Sequence, residues 1–462
     1  MLFNSFEFIF LFLPIVLIGY YAISKITVNS LLANLWLLLA SLTFYGWNTW
    51  SNVILILSSI LINFAIGMAM EKLKQRKALL ILGIFFNIFL LCYYKYTDFL
   101  LSNINAAFHT DFNLLHIILP IGISFFTFQQ IAFLVDTYKR EISEYNLLSY
   151  SIFVSFFPQL IAGPIVHHKE MMPQFKSSKS AQVSWFNISK GVFVFNMGLA
   201  KKIIIADTFG KIASRGYAHT ALLDTGESWI TSLAYSTQLY FDFSGYSDMA
   251  IGLGLLFNIQ LPNNFWSPYK STSIKEFWRR WHMTLSRFLK DYIYIPLGGN
   301  RVSTSRTHIN LLLTFLIGGF WHGAGWTFIF WGFLHGAGLV LHSMFQKTEI
   351  KLPTSLSILL TFLFVNITWI FFRAENWNDA LNVVQSMFGL SHAHNDFSLI
   401  YQFYDVPIWC IGLILLFVNN STQFSNKYTI NWRFALFTIF LILINLIFLN
   451  SDIKQEFLYF DF

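Results

Sequence analysis

Two histidines lie in surroundings where an imidazole can do chemistry. His322 sits in Gly318-Gly-Phe-Trp-His-Gly-Ala-Gly325, inside 307–346, a run of 40 residues with no Asp, Glu, Lys or Arg. An ionisable group that deep in an apolar run is costly to keep and by default marks function, and flanking glycines let a ligand or a second backbone come close. A histidine packed between helices beside small residues fits the same pattern. His282 belongs to Ser273-Ile-Lys-Glu-Phe-Trp-Arg-Arg-Trp-His-Met-Thr-Leu-Ser-Arg-Phe-Leu-Lys290, which spaces Ile274, Phe277, Trp278, Trp281, Leu285, Phe288 and Leu289 along one helical stripe. It reads as one interfacial amphipathic helix, with Arg279, Arg280, Arg287 and Lys290 mostly off the stripe and His282 on it, facing protein or a cavity. A packed histidine with one satisfied hydrogen bond is the competing reading.

Other ionisable groups carry less. His335 and His342 share a helix face, but no carboxylate or thiolate accompanies them to suggest a metal or haem site. His167 and His168 read as a pair snorkelling at a membrane edge. Asp242 and Asp248, within Gln238-Leu-Tyr-Phe-Asp-Phe-Ser-Gly-Tyr-Ser-Asp248, enter an apolar segment. They are expected to tie a broken helix together by accepting backbone and hydroxyl hydrogen bonds or to pair with arginines; binding a cation or orienting a histidine are the alternatives. The chain has no G-x-S-x-G, P-loop, G-x-G-x-x-G or H-E-x-x-H pattern. What remains is base catalysis of group transfer: a neutral imidazole takes a hydroxyl proton while that oxygen attacks an activated acyl group.

The elements that must position these residues lie in lipid. Of 462 residues, 55% are hydrophobic and 11% charged, against about 25% charged in soluble domains. With 53 phenylalanines and a mean hydropathy of +0.55, no compact interior could hide this chain from water, which excludes a water-soluble enzyme. The net charge of +7 falls on short loops and orients helices against anionic headgroups, so nucleic acid is not needed to explain it. Cys92 and Cys410 form no disulfide framework. Phe8 to Ser24 lacks a basic n-region and an A-x-A site and is expected to be a retained first span.

Charge-free windows place further spans. Ile26 to Met70 carries no charge but is broken by Gly46-Trp-Asn48 into two helices. Others cover 78–94, 112–135, 145–168, 352–372, 406–426 and 434–451, with weaker ones at 189–206 and 229–257, and 307–346 is broken at Gly318-Gly319 and again at Gly323 and Gly325. This yields twelve or thirteen candidates, some re-entrant or broken. Irregular backbone at membrane depth must be buried by protein or line a cavity, which singles out 157–165 and 318–325. The basic run Glu71–Lys77 is expected in the cytoplasm with 136–144, leaving the N-terminus and 98–111 outside. Between Asn258 and Asn310, eight basic residues face two acidic ones, an expected cytoplasmic segment. The stretch 373–405 is long enough for a small cap.

Phe157-Pro-Gln-Leu-Ile-Ala-Gly-Pro-Ile165, Gln238–Asp248, Glu276–Ser286 with Tyr292-Ile-Tyr-Ile-Pro-Leu-Gly-Gly299, and Gly319–Trp326 together resemble the membrane-bound O-acyltransferase family, most of all its alginate O-acetylase-like branch. The resemblance implies an all-α polytopic membrane protein, residues 1–462 forming one acyltransferase domain of about 11–13 tilted and re-entrant helices around a tunnel. It makes His322 the catalytic histidine and His282 the second catalytic position. It implies cytoplasmic acetyl-CoA as donor and no metal; on charge and position alone, Arg279, Arg280, Trp281 and Arg287 are the candidate donor-binding residues, with a solvated face against lipid headgroups as the equal alternative for the arginines. The resemblance further implies a cell-envelope polysaccharide (alginate-like, peptidoglycan or another exopolysaccharide) as the final acceptor, an extracytoplasmic acyltransferase or esterase-like partner that reaches it, and the bacterial inner membrane as the location. Residues 457–462, Phe-Leu-Tyr-Phe-Asp-Phe, resemble the F-x-Y-x-x-F end of the peptide accompanying teichoic-acid D-alanylation members, implying Tyr459 as a covalent acyl relay; an aromatic headgroup anchor is the plainer alternative. A flippase for a lipid-linked sugar and a haem-handling protein remain the other classes the residues allow.

Overall fold

The computed structural model describes residues 1–26, 30–142, 146–177, 182–390, 405–449 and 457–458. Every regular element among them is helical, the solution open to a chain that must satisfy its own backbone in lipid. Six helices among the described residues are long and apolar enough to cross a membrane: Glu7–Ile26, Ser51–Lys72, Arg76–Lys95, Trp326–Thr348, Thr354–Arg373 and Trp432–Leu449. Their outer faces expose large apolar side chains such as Ile18, Ile54, Phe85 and Ile447, which is sensible only against acyl chains. The chain forms two compact units, one of Met1–Asn196, Ser247–Pro262 and Tyr428–Phe440, the other of Met197–Tyr246, Asn263–Lys427 and Leu441–Phe462.

The first unit begins with a π turn, Glu7–Phe12, running into α1 (Leu13–Ile26), then α2 (Ser30–Gly46), α3 (Ser51–Lys72), α4 (Arg76–Lys95), α5 (Thr97–Phe108) and α6 (Ile123–Tyr138). It continues with α7 (Leu147–Ser155), α8 (Phe157–Leu160), α9 (His168–Lys176) and α10 (Trp185–Ala200). The turn expected at Gly46-Trp-Asn48 is where α2 ends. Interhelical side-chain amides hold this unit: Asn87 Nδ2 donates to Asn63 Oδ1 at 2.6 Å, Gln130 to Ser59 at 2.9 Å, and Tyr150 to Gln130 at 3.3 Å. Such bonds join helices where apolar contact with neighbours gains nothing over lipid. Arg76 donates to the carbonyls of Thr137 and Tyr138 at 2.8 and 3.2 Å, so the basic run and the C-terminal end of α6 lie together.

Two expectations change here. The window 112–135 is not one helix, because 109–120 has no regular structure and α6 starts only after Pro120 and Gly122. Gly122 has φ of 75°, and a Cβ there would come within 2.9 Å of the Leu160 carbonyl oxygen. His168 is not an interfacial snorkeller: it is 4% exposed, with Nδ1 3.3 Å from Asp136 Oδ2. Burial pushes its imidazole well below the usual histidine range.

The second unit opens with a π turn, Lys201–Ala206, and α11 (Asp207–Tyr217), and contains the first part of α12 (Thr225–Leu256). Then come α13 (Ile274–Arg280), α14 (Met283–Leu289), a π turn at Lys290–Tyr294, α15 (Thr304–His322), α16 (Trp326–Phe345), α17 (Thr354–Arg373), α18 (Trp377–Met387), α19 (Asp405–Leu416), α20 (Ser421–Ser425) and the second part of α21 (Trp432–Leu449), whose residues up to Phe440 belong to the first unit. Three further expectations are corrected. Helix α12 runs unbroken through Asp242 and Asp248, leaving no broken helix to tie. Helix α15 passes straight through Gly318-Gly319 and stops at His322, the break being confined to Gly323-Ala-Gly325. The window 406–426 is two helices, separated where Asn420 caps α20 in a reciprocal capping box with Gln423.

Candidate active site

The hairpin of α15 and α16 sets His322. The two helices cross at glycines: a Cβ on Gly332 would lie 2.3 Å from the Phe315 carbonyl oxygen, and one on Gly319 would lie 2.4 Å from that of Phe328. Only backbones without side chains can approach so closely. His322, the last residue of α15 and 3% exposed, is thereby delivered to the interior at the helix break. Its ring meets Trp331 edge-on, with centroids 5.0 Å apart, and lies 5.2 Å from Phe372 and 4.9 Å from Trp321.

His282 is placed by a break that apolar spacing did not reveal. The stripe residues of 273–290 are all buried as expected, while Arg279 and Lys290 are exposed. The helix is nonetheless interrupted, because His282 takes a left-handed backbone (φ 42°, ψ 53°) between α13 and α14. Segment 264–266 captures the freed backbone groups. Trp266 N–H donates to the Arg280 carbonyl at 2.9 Å and Met283 N–H donates to that of Asn264 at 2.9 Å.

Asn264 also fixes the imidazole. Its Oδ1 accepts from Thr284 N–H at 3.3 Å and from Thr284 Oγ1 at 2.9 Å, and lies 3.1 Å from His282 Nδ1. A backbone N–H can only donate, so the shared atom is the carbonyl oxygen, Nδ1 carries the proton, and the lone pair is on Nε2. Burial pushes this imidazole, which lies outside the six candidate spans, well below the usual histidine range and keeps it neutral. Asn264→Ala should cost about 1–3 kcal/mol of stability, because the buried donors of His282 and Thr284 lose their common acceptor; a thermal melt in detergent matching that of the unaltered protein would refute the assignment.

Trp281, His282's neighbour, is 1% exposed and stacks on Phe277 at 5.6 Å and 15°. Trp369 lies 5.0 Å from Trp281 and 5.6 Å from Trp331, itself against His322. An aromatic wall therefore links the two histidine neighbourhoods, and Trp281 is part of it. Trp281 is thus packed on both sides by rings. Arg280 is committed to Glu276 at 2.6 Å, whose carboxylate also accepts from the N–H and hydroxyl of Thr272 at 2.7 Å each. Arg279 is exposed and Arg287 half-buried.

His335 is structural. Trp278 Nε1–H donates to its Nδ1 at 3.2 Å, and its Nε2 lies 3.0 Å from Thr368 Oγ1, whose own proton goes to the Val365 carbonyl at 2.7 Å. Both nitrogens are committed and neither is left for a metal or haem iron. Asp242 pairs with Lys202, not with an arginine, at 2.7 Å. Sequence reasoning passed over Lys202 and Asn264; a lysine inside the weak apolar window 189–206 was the signal for the first, and nothing local marked the second. Tyr459 lies outside the described residues, but the tail preceding it is placed: Phe457 stacks on Tyr246 at 4.4 Å and 26°, and Leu458 N–H donates to Asp242 Oδ2 at 2.9 Å.

Long apolar helices, with two buried imidazoles held at helix ends, are the build of a multi-pass membrane protein. The family model for MBOAT, the membrane-bound O-acyltransferase family, matches residues 78–376, and the chain belongs to that family. It is a multi-pass membrane O-acyltransferase. It is similar to a "Peptidoglycan O-acetyltransferase" of Helicobacter pylori, at 43% identity over 100% of this chain and 98% of the other. A "Probable alginate O-acetylase" of Pseudomonas aeruginosa is 42% identical over 84% of this chain and 75% of its own length. A "Teichoic acid D-alanyltransferase" of Bacillus subtilis is 28% identical over 53% and 66%. Family membership, the committed nitrogens of His335 and the pairing of Asp242 set aside the haem and flippase readings.

Proposed function

We propose that this protein O-acetylates a cell-envelope polysaccharide from the bacterial inner membrane, using acetyl-CoA from the cytoplasm. The observation that carries the reading is the end-to-end similarity to a peptidoglycan O-acetyltransferase; it favours peptidoglycan as the final acceptor over an exopolysaccharide such as alginate. His322 serves as general base. It takes the proton of an attacking hydroxyl while the oxygen bonds to the thioester carbonyl carbon; the C–S bond breaks and the proton passes to the departing thiolate. His282, neutral and oriented by Asn264, positions the donor thioester or polarises its carbonyl. Arg279 and Arg287 hold donor phosphates.

The first acceptor in this reading is the Tyr459 phenol. Acetyl-CoA and the phenol give an acetyl phenyl ester and free CoA thiol; a hydroxyl nucleophile of an extracytoplasmic transferase partner then takes the acetyl group and restores the phenol. The described tail supports it, because Phe457 packs 6.1 Å from Phe243, whose ring lies edge-on against His282 at 4.7 Å. Tyr459→Phe should abolish glycan O-acetylation in cells, measured as base-labile acetate on purified muropeptides; full acetylation would refute the relay. Acetate on a secreted polysaccharide, with unmodified muropeptides, would overturn the choice of acceptor.

A further inference from the structure

We propose that the buried cluster Lys202–Asp207–Asp242 is the dock of the C-terminal tail, with Asp242 as the positioning residue that holds the tail backbone beside His282. The inference rests on the relay reading above for its purpose, but not for its geometry. Lys202 Nζ lies 2.7 Å from Asp207 Oδ1 and 2.7 Å from Asp242 Oδ1, and the three residues are 4%, 1% and 1% exposed. The ammonium takes one oxygen from each carboxylate, which leaves the second oxygen of Asp242 turned away from Lys202. Asp242 turns its second oxygen to Leu458 N–H at 2.9 Å, a charge-assisted bond of the stronger kind.

The rest of the dock is on the same helix. Asp242, Phe243 and Tyr246 occupy successive and i+4 positions of α12, so carboxylate and phenol share one face and the Phe243 ring stands beside them. Phe457, 3% exposed, closes on Tyr246 and Phe243, and Phe243 abuts His282. Lys202 reaches Asp242 from the π turn Lys201–Ala206, a local widening that recurs at functional sites. Neighbouring Lys201 is engaged by Ser421 at 2.6 Å and Ser244 at 3.3 Å. One residue beyond the pinned amide comes Tyr459, the relay position.

The test uses the full-length protein in lipid nanodiscs with labelled acetyl-CoA as probe, reading hydrogen exchange of the C-terminal peptide and label incorporated into the protein. Asp242→Ala should speed exchange of the tail and cut incorporation by at least about tenfold, the worth of one hydrogen bond to a charged group, with KM for acetyl-CoA unchanged. Asp242→Asn should restore both, since it keeps an accepting oxygen and leaves one carboxylate for one ammonium; a plain helix-pinning ion pair would not be rescued. Phe457→Ala, which removes only tail packing, should free the tail with α12 still protected, and carries the test if Asp242→Ala does not fold. Tail exchange equal in all variants, or already complete in the unaltered protein, overturns the dock. Protection lost as expected, with no label incorporated even by the unaltered protein, supports the dock and removes the relay reading instead.

Discussion

Replacing His322 by alanine should slow acetyl transfer by about 10²–10⁴-fold, the contribution of a positioned general base, while the protein still folds. The ring makes edge contacts with Trp331, Trp321 and Phe372, so some loss of packing accompanies its removal. His322→Gln separates the two effects. Glutamine fills much of the volume and keeps a hydrogen-bonding head but cannot take a proton, so it should be as inactive as alanine and closer to the unaltered melting temperature. The loss should fall on kcat and spare KM for the donor, because proton transfer is an interaction of the transition state. Transfer from acetyl-CoA within about twofold of normal by either folded variant would remove His322 from the general-base role, given what that role is worth.

The second large effect concerns the hairpin that delivers this histidine. Gly332→Ala places a Cβ 2.3 Å from the Phe315 carbonyl oxygen, and Gly319→Ala places one 2.4 Å from the Phe328 carbonyl oxygen and 3.0 Å from Gly332 Cα. These are backbone atoms, and no side-chain rotation relieves the clash; α15 and α16 must separate. Each substitution should cost about 1–3 kcal/mol, as overpacking does, and should depress activity further because Trp331 adjoins Gly332 and His322 follows Gly319 by three residues. Gly325→Ala is the control. Its Cβ would meet nothing nearer than the Phe328 ring at 3.5 Å, and its extended backbone suits any residue. Thermal unfolding in detergent that fails to rank Gly332→Ala and Gly319→Ala well below Gly325→Ala would contradict the close crossing.

Arrangements set by solvent were legible in the amino-acid order alone. Lipid demands long uncharged helices, so α3, α4, α17 and α21 fall close to their charge-free windows. Every residue of the apolar stripe of 273–290 is buried, and Thr284 joins them without having been named by it, since burial follows helical spacing locally even when the helix itself does not persist. His322 stood out from the other histidines of its 40-residue uncharged run because glycines flank it on both sides.

Only the folded chain decided where helices stop and which polar groups meet. The interruption at His282 is matched by segment 264–266, which supplies backbone partners across 14 and 19 residues and the Asn264 side chain across 18, and spacing within 273–290 contains no trace of them. Helix α12 runs on through Asp242, whose carboxylate meets Lys202 and the Leu458 amide, 40 and 216 residues away in sequence, pairings that no local pattern announces. Periodicity measures which face of a segment avoids water; hydrogen bonds and ion pairs between distant segments determine whether its backbone can bend, and these exist only once the chain has folded.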